Sequence, residues 1–196
     1  GILNFMTSID LSLDLVGKCL IAMPDMPDAR FQSSVIFICA HSAEGAMGLI
    51  VNKCVQDVKL ADLMDQLSIP KGSAREDWPI YFGGPVEHGR GFVLHSSDYR
   101  SELSSLDTGD GFAMTATIDI LEDIGAGNGP EKALIALGYA GWGPGQLEGE
   151  LARNGWLVAD VGHQVIFETP DSKKWSAALG AIGIDPAILS SSGGSA

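Results

Sequence analysis

The chain has 196 residues, 45% of them hydrophobic, and a formal net charge of −13. Length and apolar content support one sizeable core, and a charged fraction of only 19% argues for a folded chain. Twelve Lys and Arg stand against 25 Asp and Glu, and the longest basic run is Lys173-Lys174, so no cationic stripe is available to neutralise a nucleic-acid backbone.

The other class signals are equally restrictive. Cys19, Cys39 and Cys54 are odd in number and lack C-x-x-C spacing, which predicts reduced thiols in a cytoplasmic, reducing setting. No apolar run approaches the roughly 18 residues of a membrane span. The first stretch, "GILNFMTSIDLSLDLVGK", carries Asp10 and Asp14 without a basic start and does not read as a secretory signal. The 25 glycines are scattered and predict many tight turns.

In chain order, "KCLIAMP" reads as a strand, and "DMPDARFQ" as a turn or short helix. "SSVIFICA" is continuously apolar and rich in β-branched and aromatic residues, as expected of a strand buried on both faces. The turn "HSAEG" leads to a second buried strand, "AMGLIVNK", and so short a link requires an antiparallel pair. Asp57 is placed to cap a helix through "VKLADLMDQL", whose apolar positions follow helical spacing. A polar loop, "PKGSAREDWP", precedes the strands "IYF" and "GFVLH". "ELSSLDTGDG" reads as irregular, "FAMTA" as a strand, and "IDILEDI" as a helix ended by the glycines of "GAGNGP". "KALIALGYA" is ambiguous by period and is assigned as a strand from its flanking glycines and proline. A helix is expected from Pro144 to Arg153, with Gly143 as N-cap, Pro144 at the first helical position, Gln146 reaching back, and Glu148 and Glu150 favoured by the dipole. "WLVAD" and "QVIFET" read as strands, Asp171 caps a last helix, "SKKWSAALGAIG", and residues 190–196, "SSSGGSA", are expected to be disordered. The sum is an α+β fold over residues 1–189 as one domain: an antiparallel or mixed sheet, partly closed into a small β-barrel, with helices packed outside.

Two stretches concentrate chemistry. "FGGPVEHGRGFVLHS" offers glycines, two histidines and an arginine. Its glycines lead into a strand, whereas a phosphate cradle needs a helix N-terminus, and the spacing matches no phosphate-binding motif. "LGYAGWGPGQLEGEL" is a strand-to-helix elbow with no nucleophile at its centre, which argues against an α/β-hydrolase. His41 and His95 both end strands. With Asn52 and Glu148 they define a candidate polar rim, which an enzyme reading requires to bring the two imidazoles within roughly 8 Å of each other. No two histidines have ligand spacing, so neither a metal nor a cofactor is expected.

"LIAMP", "SVIFICAHSAEGAMGLIVNK", "FGGPVEHGRGFVLHS" and "LGYAGWGPGQLEGEL" followed by "NGWL" occur in the order found in the bacterial AlgH/YqgE family, which this chain resembles from about Lys18 to Asp185. The matching hallmark positions are Asn52, Gly83, Gly84, Pro85, His95, Gly141, Trp142, Gln146 and Glu148. The resemblance implies a partly barrel-like α+β domain in a bacterial cytoplasm and a link to transcriptional regulation of exopolysaccharide synthesis. It supplies no catalytic residue. The functional expectation is therefore a regulatory protein working through a protein partner or small ligand, with His41, Asn52, Gly83, Gly84, His95, Trp142, Gln146 and Glu148 as candidate contacts. The alternative is an enzyme using the polar rim. Whether the two rich stretches line one cleft is the question the sequence leaves to the structure.

Overall fold

The computed structural model describes residues 14–72 and 77–189. The expected C-terminal tail, residues 190–196, lies outside them, as do residues 73–76 of the polar loop and the segment before residue 14.

The described strands are β1 Cys19–Ala22, β2 Val35–Ser42, β3 Gly45–Ile50, β4 Cys54–Lys59, β5 Pro79–Phe82, β6 Val86–Ser96, β7 Leu106–Gly109, β8 Phe112–Thr115, β9 Ala133–Trp142 and β10 Trp156–Ala159. The helices are α1 Leu60–Gln66, α2 Asp119–Gly125, α3 Gln146–Ala152 and α4 Asp171–Ala181. The strands run β10-β1-β2-β3-β9-β6-β8-β7, with β5 against β9 and β4 against β5. Every pair is antiparallel except β5 with β9.

Alternation along β2 shows why its sequence is apolar throughout. Val35, Phe37 and Cys39 join a core with Leu94, Phe112 and the α4 residues Ala178 and Leu179. Ile36 and Ile38 point the other way and pack with Trp142, Trp156 and Leu147 of α3. Further along that second face, α1 and α2 cover Ile80, Val93 and Ile135 with Leu60, Met64, Ile120 and Ile124. The sheet is thus a middle layer with helices on both sides.

The expected closure into a small barrel is not found. β10 and β7 end an open strand order and do not pair with each other. The sheet does curl: the Phe37 and Phe112 rings lie 4.9 Å apart. The space a barrel would enclose is filled instead by α4 and by the π-type turn Gln164–Glu168, whose Ile166 is fully buried. That turn replaces the strand expected for "QVIFET". Asp57 likewise does not cap α1. It sits at φ 63° within the irregular β4–β5 pairing, and the start of α1 is closed by Asp62 Oδ2 accepting the Lys59 N–H at 2.9 Å. β7 forms where the sequence reads as irregular, because β8 pairs with it from Leu106 to Gly109.

The turn in "FGGPV" does something the sequence does not announce. On β9, residues 133–137 pair with β6 on one edge, so β5, which pairs with residues 135–137, occupies the other edge beside β3. Between Phe82 and Val86 the chain must therefore pass across β9. It does so in close backbone contact. A Cβ on Gly83 would stand 2.2 Å from the Gly138 oxygen, and one on Gly84 (φ 156°) 2.1 Å from the Tyr139 carbonyl carbon. Only glycine fits such an approach.

Candidate functional site

The same crossing delivers Pro85 and Val86 to one wall of a cleft of about 690 Å³. Gly141, Trp142 and Gln146 of the elbow form the second wall, and Met26, Asp28, Arg30 and Phe31 with Trp156 the third. The two chemistry-rich stretches therefore do share a cleft, of a size usual for small-ligand sites, ~300–1,000 Å³.

Its floor is organised by Glu150. Oε1 accepts the indole N–H of Trp142 at 3.1 Å and that of Trp156 at 2.9 Å, and Oε2 accepts Gln146 Nε2 at 3.2 Å. Gln146 Oε1 in turn accepts the Gly143 N–H at 3.0 Å. The backward reach expected of Gln146 is thus made, although α3 begins at Gln146, two residues later than expected, after a turn with Gly145 at φ 73°. The two indoles meet edge to face at 6.2 Å, and Phe31 stands edge-on to Trp156 at 6.0 Å. Arg30 lies 5.8 Å over the Phe31 ring and binds Asp28 through two bonds, Nε at 3.1 Å and Nη2 at 2.8 Å. The bond from Arg30 holds the Asp28 carboxyl below its ordinary range. Sequence reading assigns Glu150 only to the helix dipole and passes over Arg30, Phe31 and Trp156. The i, i+4 spacing of Gln146 and Glu150 was the available signal.

The other candidates scatter. His41 is tied to α3: its Nδ1 accepts the Leu15 N–H at 3.2 Å, so Nε2 carries the proton and donates to Glu148 Oε1 at 2.6 Å. Asn52 bridges two loops, with Oδ1 accepting the Val35 N–H at 3.0 Å and Nδ2 donating to the Ser33 oxygen at 2.8 Å. Val35 begins β2 and His41 lies near its end, so the two side chains are anchored at opposite ends of that strand. His95 is 0% exposed, donating from Nδ1 to the Ser96 oxygen and accepting the Thr115 hydroxyl at Nε2, both at 2.8 Å. Burial pushes its pKa down, against the weaker effect of the Ser96 bond.

His41 and His95 do not meet. His41 pairs with Ala46, which pairs with Trp142, while His95 pairs with Ala133. Trp142 and Ala133 are the two ends of β9. At about 3.3 Å per residue that separation is roughly 30 Å, against the ~8 Å the rim requires. Among the described residues, no group of three or more His, Cys, Asp or Glu side chains is placed to hold a metal ion.

One polar cluster has no counterpart in the sequence reading. Lys174 of α4, 1% exposed, donates to the Val51 oxygen and pairs with Asp171 Oδ1, both at 2.8 Å. Tyr81 donates to the same Asp171 oxygen at 2.8 Å, and the Cys54 thiol donates to Oδ2 at 3.1 Å. Burial lowers the Lys174 pKa despite Asp171. For Asp171, burial pushes upward, but the bond and charge of Lys174 with the Cys54 and Tyr81 bonds outweigh it and hold the carboxyl below its ordinary range. Burial, then Asp171, pushes the Cys54 thiol up to about 11. The cluster pins α4 to the sheet, and a thiol so raised is a poor nucleophile.

A family model described as AlgH-like (DUF179) matches residues 19–187. The chain belongs to the AlgH-like family. It is 56% identical to a UPF0301 protein of Ruegeria pomeroyi over 94% of this chain and 100% of that one. It is 54% identical to a UPF0301 protein of Jannaschia sp., over 95% and 98%. The AlgH protein of Pseudomonas aeruginosa, known from its solution structure, is 41% identical and superposes with a TM-score of 0.75, covering 91% of this AlgH-like chain and 95% of its own. A Corynebacterium diphtheriae protein at 19% identity and a TM-score of 0.66 shares the fold. Among the described residues, no helix is long and apolar enough to cross a membrane.

Proposed function

We propose that this AlgH-like chain is a regulatory, transcription-linked binding protein of the cytoplasm, one domain over residues 1–189, that works by seating a ligand or partner in the Trp142–Trp156 cleft. The observation that carries this is convergence. The "FGGPV" crossing and the "GWGPGQ" elbow, far apart in sequence, wall one cleft, and Glu150 holds both of its indoles in fixed orientation. Fixed aromatic walls with a few oriented polar groups are the make-up of a recognition site. Direct DNA contact is disfavoured by the net charge of −13. The enzyme reading loses its basis with the dispersal of His41, Asn52 and His95.

The test is a thermal-shift panel of metabolites and short peptides on the wild type and on Arg30→Glu, which sets a carboxylate against Asp28 at the cleft wall. A stabilising compound whose effect is lost in the variant supports the reading. Stabilisation equal in both, or none from any compound, counts against it. A gel shift of DNA that weakens steeply with salt would restore the DNA-binding reading.

A further inference from the structure

Among the described residues, β9 has an uncovered stretch at the cleft. Its last residue paired to β6 is Tyr139, opposite Val86, yet the strand continues to Trp142. Beyond Tyr139, among the described residues, only β3 pairs with it, at Ala140, Gly141 and Trp142. The carbonyl of Trp142 faces β3, because a Cβ on Gly45 would lie 2.3 Å from that oxygen. In a strand, successive residues turn their N–H and C=O to opposite edges. The N–H and C=O of Gly141 therefore face the edge that β6 has left, where the chain at Gly84 and Pro85 is crossing to the other side of β9.

The space beside that edge is open on both faces of the sheet. On the α3 face it is the aromatic cleft, lined by Pro85, Val86, Gly141 and Trp142. On the opposite face is a second, wide depression of about 760 Å³, lined by Val86 and Gly141 again and by Met47, Phe92, Met114 and Tyr139. The two groups of side chains belong to the cores on opposite faces of the sheet. Gly141, exposed and without a side chain, is the saddle between them.

We propose that the occupant is an extended peptide segment of a partner protein, added as a short strand beside Gly141. This rests on the cleft being the functional site and goes further by naming what it takes. A strand sends successive side chains to opposite faces, which is how two depressions on opposite sides of one edge are filled at once. The peptide residue opposite Gly141 exchanges both backbone hydrogen bonds with it. Its side chain follows the direction of a Gly141 Cβ, away from the Trp142 side, into the Met47–Phe92–Met114 depression. The residues before and after it point into the Trp142–Trp156–Phe31 cleft. The recognised segment thus carries apolar side chains at consecutive positions, unlike a half-buried strand of a globular domain.

The probe is a phage-displayed library of random nine-residue peptides selected on the purified chain, followed by synthesis of the enriched sequences. The measurements are Kd by calorimetry and amide hydrogen exchange of Gly141 by NMR. The expected result is a set of peptides with adjacent apolar residues that slow exchange at Gly141 at least tenfold. Gly141→Pro removes the outward N–H without touching the β3 ladder and is expected to weaken binding about tenfold, whereas Gly141→Ala, which keeps the N–H, stays within about threefold. Folding of both variants is checked by the dispersion of their amide spectra, and the exchange measurement on the wild type stands without either. Recovery of no peptide, bound peptides that leave Gly141 exchange unchanged, or equal affinity of folded Pro and Ala variants would overturn the proposal. So would protection of Gly141 by self-association without peptide. Small molecules that shift the Trp142 and Trp156 indole signals while no peptide protects Gly141 would sink the peptide proposal and leave the cleft standing; silence from both would remove both.

Discussion

Gly84→Ala is the sharpest perturbation of the frame that builds the cleft. The added methyl would lie 2.1 Å from the Tyr139 carbonyl carbon and 2.3 Å from the Ala140 nitrogen, at a φ of 156°. Contacts of that length need a backbone shift of about an ångström, and β9 cannot give way freely because β3, β5 and β6 hold it along both edges. Overpacking of a tight site costs about 1–3 kcal/mol, and a non-glycine residue forced to positive φ about 1–2 kcal/mol more. The expected loss is therefore about 2–5 kcal/mol of a stability that for most domains is only about 5–15 kcal/mol. Gly89→Ala, in the same glycine-rich stretch, is the control, since nothing lies within 4 Å of a Cβ there. Urea unfolding followed by tryptophan fluorescence reads both, with m-values compared to confirm the same unfolded state. A Gly84→Ala protein within 1 kcal/mol of wild type, or an equal loss in Gly89→Ala, would refute the crossing as the reason for these glycines.

Three further outcomes are expected. His95 has a folded pKa below the ordinary ~6.5, so the unfolded chain binds the proton more readily; stability should fall as pH drops below about 6.5 and level off once the folded imidazole also titrates, with a slope of at most ~1.4 kcal/mol per pH unit. Urea titrations at several pH values should show this slope in the wild type and its loss in His95→Asn; an unchanged slope would contradict the assignment. Lys174→Met strands the Asp171 carboxylate and the Val51 carbonyl and should cost about 3–5 kcal/mol, whereas Lys174→Met with Asp171→Asn should recover part of it; a double mutant no better than the single would show that the pair is not what matters. A thiol reagent at pH 8 should reach Cys54 slowly and the buried Cys19 and Cys39 only after unfolding, and Asp171→Asn should speed the Cys54 reaction; rapid labelling of Cys19 or Cys39 in the native state would contradict the packing.

The parts of the fold that follow from local pattern were legible. The two-faced burial of β2, the tight β2–β3 hairpin and the strand character of β9 all come from composition over a few residues. The backward bond of Gln146 came from its spacing to Gly143. What failed depends on partners distant in sequence. "QVIFET" has the composition of a strand, but among the described residues the edge strand β10 pairs with β1 alone, and Ile166 finds its burial by coiling under the sheet instead. Asp57 looks like a cap until β5 recruits its segment into β4. A barrel is a reasonable reading of many short strands, and nothing local says that α4 will occupy the inside. At the site, His41 and His95 look alike as strand ends, and only the register along β9 separates them. Lys174 reads only as half of the longest basic run until Asp171, Tyr81 and the Val51 carbonyl are brought around it. Arg30, Phe31 and Trp156 reach the cleft only because "DMPDARF" folds back against α3 and β10.

The most direct test of the account is an NMR titration of the Trp142 and Trp156 indole N–H signals, using as ligand any compound or peptide that stabilises the chain in the thermal-shift panel. Both N–H groups are fixed on one carboxylate oxygen of Glu150, so a ligand seated in the cleft must shift both together, and it must do so with the same Kd that the stabilisation reports. Saturable, concerted shifts are the predicted result. A stabilising ligand that leaves both indoles unmoved binds elsewhere and would contradict the cleft as the functional site.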